Sequence, residues 1–314
     1  MIENNVDYYR YMDDVMIICE NKFHAKSVLK KIIVELRGLG LNVNASKTTI
    51  LEPSTEDHNK FLKRDPYELE KIDSLINSKR RPLVAIAFTE CQKRLIELIN
   101  ERDFHSRLFR FLTARICKIA LCKDIEKPID FFTPITEGIV NNISEIPEST
   151  DQFYYYLQVV DVSIENLRKL QNYLLDEEKS IYGWQNYLLW KLLAYKNYYS
   201  AELEKHARKI IGSNRNVANV AGAVLYLGKC GDLGCKENIV DSFVNFKEFF
   251  TQRHALISIQ EVNYDIIKAK VERFITPDSK GIYKILHSFK TPKYIEPPKE
   301  VKYMDLIREV SFYE

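Results

Sequence analysis

The sequence predicts an α+β chain: a small β-containing module at the start, then helices to the end. Two adjacent carboxylates in Tyr9-Arg10-Tyr11-Met12-Asp13-Asp14-Val15-Met16-Ile17 sit between two apolar-aromatic runs, residues 6–11 and 15–19. Aromatic and β-branched residues favour strands and Asp tolerates tight turns, so this stretch reads as a β-hairpin with its acids at the tip. Only ten glycines and ten prolines occur in 314 residues, which argues against a turn-rich β architecture. From residue 65 onward, apolar residues recur at helical spacing almost without interruption.

The hairpin is followed by an amphipathic helix over residues 22–36, with Phe23, Val28, Leu29, Ile32, Ile33 and Leu36 on one stripe. Gly38 and Gly40 suit the positions that end a helix. Residues 39–48 then read as a short strand running into Lys47, and residues 48–51 as one more strand.

This order of hairpin, helix, glycine turn, strand and lysine resembles the second half of a reverse-transcriptase palm. The resemblance implies that Asp13 is the metal-binding aspartate and Asp14 its less demanding neighbour. It implies that Lys47 lies near the incoming nucleotide, neutralising charge on the leaving phosphates or donating a proton to them. Tyr11, beside the tip, packs against the primer end in that reading; the plain alternative is a strand residue. The implied reaction is nucleotidyl transfer with two magnesium ions, on a template–primer and deoxynucleotides. Mg2+ suits such a site because it takes hard oxygen ligands.

Reverse-transcriptase palms take a further essential aspartate from a strand upstream, after a fingers region. Here residues 1–8 precede the hairpin, and Asp7 is part of the hairpin strand and cannot be that residue. The expectation is therefore a C-terminal portion of a polymerase, inactive alone, with the N-terminal half supplied by a separate chain or segment.

Residues 65–122 carry three expected helices: one from the Asp65-Pro66 start signal, one over 84–100 and one over 106–122. Following a palm, they resemble a thumb. Between Lys79 and Lys118 the chain has Lys79, Arg80, Arg81, Lys93, Arg94, Arg102, Arg107, Arg110, Arg115 and Lys118 against Glu90, Glu97, Glu101 and Asp103. That local excess of positive charge, on a chain of net charge +2, suits phosphate contacts that do not read sequence. Arg80, Arg81, Arg107 and Arg110 are the candidate contacts. A basic solvated helix face is the competing account.

Beyond residue 128, apolar stripes at 131–143, 152–160, 164–175, 184–198, 201–211, 217–228, 239–250, 254–262, 264–274 and 282–289 predict short helices joined by brief turns. They suggest stacked helical hairpins resembling HEAT-type repeats. Tyr154, Tyr155, Tyr156, Trp184, Trp190, Tyr198 and Tyr199 read as core more readily than as base-stacking platforms. A last short helix is expected over 304–310. The expected organisation is a partial palm over 1–60, a thumb-like basic segment over 61–125 and a helical-repeat region over 126–314. A palm and thumb with such an extension resembles the bacterial abortive-infection and other defence-associated reverse transcriptases.

The remaining chemistry is sparse. Six cysteines are scattered in apolar settings and read as reduced cytosolic thiols; Cys230 and Cys235 lack metal-ligand spacing. The six histidines form no ligand or nucleophile constellation, and neither a hydrolase motif nor a phosphate-cradling glycine loop occurs. No leader or membrane span is expected, so the chain reads as cytoplasmic. The competing function is a binding scaffold, in which the helical part holds nucleic acid or a protein and the palm is vestigial.

Overall fold

The computed structural model describes residues 6–11, 14–44, 48–52, 66–213, 216–286 and 291–306. By packing, the chain divides into two units, residues 1–69 and 70–314.

In the first unit, β1 (Asp7–Tyr11) pairs antiparallel with β2 (Asp14–Ile18) in the register Asp7↔Ile18, Tyr9↔Met16 and Tyr11↔Asp14. Helix α1 (Lys22–Gly38) starts at Asn21, whose side-chain oxygen accepts from the His24 amide at 2.9 Å. It ends where the sequence places its glycines. The Leu41 amide donates to the Leu36 carbonyl (2.8 Å), the Gly40 amide donates to Arg37 (3.0 Å), and Gly40 takes φ +74°. This is the paired-bond Schellman ending, and the left-handed φ is what Gly40 contributes to it. The apolar stripe is present but thinly covered. Val28 is buried, Leu29, Ile32, Ile33 and Leu36 are half-buried, and Phe23 is 80% exposed.

The strands expected over 39–48 and 48–51 do not form among the described residues, where the hairpin is a two-stranded sheet. The Leu41 amide is used by the helix ending, and the Thr48 hydroxyl bonds the Asn44 carbonyl at 2.8 Å. The Leu41 amide and the Asn44 carbonyl, which a strand would offer to a neighbour, are thus engaged locally.

The second unit is a two-layer stack of helical hairpins. Helix α2 (Pro66–Asn77) crosses the division between the units and buries Leu69, Ile72 and Ile76, with Leu75 half-buried. One layer comprises α3 (Arg81–Asn100), α5 (Thr133–Asn142), α7 (Ile164–Leu175), α9 (Ala201–Ser213), α11 (Leu233–Ser242) and α13 (Tyr264–Val271). The other comprises α4 (Arg107–Leu121), α6 (Thr150–Val159), α8 (Gly183–Tyr195), α10 (Val217–Cys230), α12 (Phe249–Ser258) and α14 (Lys280–Ile285). Within each layer alternate helices pack on one another: α3 on α5, α5 on α7, α7 on α9, α11 on α13, and α4 through α6, α8, α10 and α12 to α14. Partners across the layers, such as α3 with α4, α7 with α8 and α9 with α10, close hairpins between them. Stacking of this kind is how an α-repeat builds a continuous core from units too small to bury their own faces. The expected boundary near residue 125 lies inside this stack.

Helix α10 is the spine, buried along its length from Val220 to Gly228. Small residues let it seat closely: a Cβ on Gly222 would lie 2.9 Å from the Tyr187 Cα and 3.0 Å from the Trp190 Cβ. Trp190 is fully buried, packs on Tyr226 (5.1 Å between centroids), and donates its indole N–H to Asn219 at 3.0 Å. At the other end of the stack, Phe104, Phe109 and Phe153 meet edge to face at 5.2, 5.4 and 6.2 Å.

One expected pair of helices is divided differently. The stripes at 239–250 and 254–262 become α11, a 3₁₀ turn over Phe243–Asn245, and α12. Phe246 turns extended (φ −85°, ψ 101°) and its ring packs on Phe243 at 5.9 Å, so both aromatics are buried at the break. The side-chain amide of Gln252 donates to the Phe246 and Phe274 carbonyls (2.8 and 2.9 Å), which satisfies the opened backbone.

The tail returns along the unit. Lys293 and Gln260 exchange two hydrogen bonds (2.9 and 3.1 Å), and Tyr294 donates to Glu261 at 2.5 Å. Farther on, the Val301 amide donates to Leu121 (3.2 Å), Glu300 pairs with Lys123, and the Tyr303 amide donates to Asp124 (3.0 Å). Of the last expected helix, Tyr303–Leu306 is helical, and the rest lies outside the described residues.

Candidate functional site

The register of β1 and β2 sets the tip. Tyr11 pairs with Asp14, so two residues, Met12 and Asp13, connect the strands. Asp13 and Lys47 lie outside the described residues; Tyr11 ends β1 and Asp14 opens β2. Asp7 pairs with Ile18 at the far end of the ladder, four residues from Tyr11. At about 3.3 Å per residue it is more than 10 Å along the strand from the tip, too far to share a metal there. Both faces of the hairpin stand open: Tyr9, Met16 and Ile18 on one, Tyr8 and Val15 on the other, each about half-exposed.

The chemistry of the tip suits a hard cation. Its Asp-Asp pair offers carboxylate oxygens, the donors magnesium takes. Two carboxylates are fewer than a metal's usual ligand set, and no group of three or more His, Cys, Asp or Glu side chains that could hold a metal occurs among the described residues.

The four candidate nucleic-acid contacts fall into two pairs. Arg80 precedes α3 and Arg81 opens it, with Pro82 in its first turn. Ser106 caps α4, its hydroxyl accepting from the Phe109 amide at 3.1 Å, and sets Arg107 and Arg110 on the first turn, both exposed. Since α3 and α4 are consecutive and packed together, the start of α3 lies beside the end of α4. The contacts agree: Arg81 stacks on Tyr303 at 5.9 Å, and the Tyr303 amide bonds Asp124, just past α4. The two pairs are therefore separated by about the length of α4, roughly 20 Å.

Three other cations expected in the basic patch are engaged within the unit. Arg115 is 5% exposed, pairs with Asp73 at 3.3 Å, and stacks on Phe111 at 4.2 Å. Burial holds the Asp73 carboxyl above its ordinary range even beside that guanidinium. Arg94 pairs with Glu97 (3.0 Å) and Glu101 (3.8 Å), and Arg102 with Glu145 (2.7 Å). Charge composition alone could not separate these from the exposed cations. Helical phase could have, because Arg115 falls between Leu112, Ile116 and Ile119 on the apolar stripe.

Comparison with known proteins adds one finding. Residues 1–117 match the family model for reverse transcriptase (RNA-dependent DNA polymerase). The matched stretch runs from before the hairpin through α1, α2 and α3 into α4. No curated protein and no solved structure matches the chain. Among the described residues, no helix is long and apolar enough to cross a membrane.

Proposed function

We propose that this chain supplies the Tyr-x-Asp-Asp hairpin of an RNA-directed DNA polymerase, and that a further carboxylate-bearing strand from outside residues 1–314 completes the site. One observation carries the reading: an antiparallel hairpin closing Tyr11 on Asp14, inside the stretch that is similar to reverse transcriptases. Magnesium, bound, would supply charge neutralisation for phosphoryl transfer. Asp13 and Asp14 are the residues that would hold it. Lys47 lowers the cost of charge on the leaving phosphates, and Tyr11 borders the primer end. Template–primer phosphates lie along the α3–α4 hairpin, with Arg80 and Arg81 at one end and Arg107 and Arg110 at the other. A backbone path suits two pairs of arginines set apart, because phosphates repeat along a strand. The stacked helical extension supports a role in antiviral defence.

A second reading is favoured by the independence of residues 70–314, which form a compact unit with its own core. In it, the helical stack is a scaffold for nucleic acid or protein and the hairpin is vestigial.

Incorporation of labelled deoxynucleotide, with and without RNA template, separates the two. The chain is mixed with a reverse-transcriptase fingers fragment carrying the upstream aspartate. The pair is expected to extend a primer. Asp13→Ala abolishes extension, Lys47→Ala slows it by about 100-fold, and Asp14→Ala falls between. A folded pair that incorporates nothing, or an Asp13→Ala chain as active as the parent, leaves the scaffold.

A further inference from the structure

Two cations on neighbouring helices of the stack, Lys191 on α8 and Arg253 on α12, have no carboxylate. Neither makes an ion pair or side-chain hydrogen bond among the described residues; Lys191 instead rests over the rings of Tyr154 (5.0 Å) and Tyr187 (6.0 Å). Burial, then the charge of Arg253, holds the Lys191 ammonium below its ordinary range, so the two cations feel one another. The Tyr154 hydroxyl beside them is buried with no hydrogen-bond partner. A half-buried ammonium over two rings with no counter-ion, beside an unpartnered buried hydroxyl and within electrostatic reach of a second cation, is a place where a bound anion is stabilised.

Beside this basic pair is an aromatic surface. Trp184, Tyr187 and Lys191 stand at i, i+3 and i+7 on α8 and share a face. Trp184 is 49% exposed; its ring lies tilted on Tyr187 at 5.0 Å, and its indole N–H donates to the Asp151 carboxylate (3.2 and 3.3 Å). Phe250 on α12 backs both rings, at 6.3 and 5.1 Å. The indole is thus fixed in orientation while one side remains open. A rigid exposed ring next to unpaired cations matches the two halves of a nucleotide, a flat base and a phosphate.

We propose that α6, α8 and α12 form a nucleotide-binding site, with phosphate held by Lys191 and Arg253 and a base stacked on Trp184. The site lies outside residues 1–117, so a failed polymerase assay leaves it standing, and its own failure leaves the hairpin reading untouched.

The test titrates the full chain with oligothymidylate of about a dozen residues, with thymidine monophosphate and with inorganic phosphate, following tryptophan fluorescence. Trp184→Leu removes this reporter and leaves only the buried Trp190, so affinities of the variants are read from the anisotropy of dye-labelled oligothymidylate, with thymidine monophosphate and inorganic phosphate as competitors. The expected result is quenching by the nucleotide ligands beyond that by phosphate. Binding weakens about tenfold in Trp184→Leu and at least tenfold in Lys191→Gln/Arg253→Gln, and the double variant has a shallower salt dependence. Tight binding of the strand alone identifies a polynucleotide as the ligand, and comparable binding of the monophosphate identifies a free nucleotide. Absence of binding, affinity unchanged in the double variant, or inorganic phosphate binding as tightly as both nucleotide ligands would overturn the proposal.

Discussion

Residues 1–69 and residues 70–314 treat their apolar side chains in opposite ways. The hairpin leaves Tyr8, Tyr9, Val15, Met16 and Ile18 about half-exposed, and α1 turns Phe23 almost wholly to solvent. The helical stack buries Trp190, Tyr226, Phe104, Phe109 and Phe153 completely. A two-stranded hairpin is marginal by itself in water, whereas a stack of helix pairs gains burial with each added pair. The similarity to reverse transcriptases begins in the region least able to bury its own residues, and that region holds the Asp13-Asp14 pair on which the proposed function rests. Under the proposed function, an open apolar hairpin is what a strand pair presents before further strands join its sheet, so the exposed faces and the unfilled ligand set would share one cause.

If the stack is self-sufficient, its centre should be the costliest place to disturb. Trp190→Ala removes a fully buried indole and leaves Asn219 without its donor. Urea unfolding of the full chain should show a loss of about 3–5 kcal/mol. Acid should act next. His254 is buried, its Nδ1–H donating to the Phe250 carbonyl (2.7 Å) and its Nε2 accepting from the Tyr187 hydroxyl (3.0 Å). Burial pushes the imidazole down from 6.5 to about 4, so the fold favours the neutral form. The stability it contributes is present above about pH 6.5 and is lost as pH falls towards about 4, up to about 3 kcal/mol. Thermal melts across that range should flatten in His254→Gln. Gly222→Val is smaller: its new atoms meet the Tyr187 backbone and push α10 from α8, costing about 1–3 kcal/mol by the same urea measurement. On the other side of the comparison, Phe23→Ser should change stability by less than about 0.5 kcal/mol, because Phe23 has little contact to lose. A large loss there would mean that α1 is buried in solution.

Much of the stack was legible. Helix α7 spans the expected 164–175, with Ser163 capping it by accepting from the Asn166 amide at 3.2 Å. The α1 ending at Gly40 was legible for the same reason, since a short-range signal meets a short-range structure. Illegible features depend on distant partners. The break after Phe243 depends on Gln252 reaching two carbonyls, one of them on Phe274. The separation of Arg80 and Arg81 from Arg107 and Arg110 depends on how α3 folds back against α4. The electrostatic influence of Arg253 on Lys191 crosses between helices whose sequences share no motif. At the tip, Tyr11 and Asp14 were legible through the hairpin pattern, and their pairing follows from the register.

Hydrogen–deuterium exchange on the full chain tests the contrast most directly. Amides of α10 should exchange on the order of a thousandfold or more slowly than their intrinsic rate, and those of β1 and β2 close to it. Adding a fingers fragment with the upstream aspartate should slow the hairpin amides and leave α10 unchanged. Hairpin amides as protected as α10 in the chain alone would contradict the account, because they would show a hairpin that needs nothing further to be stable.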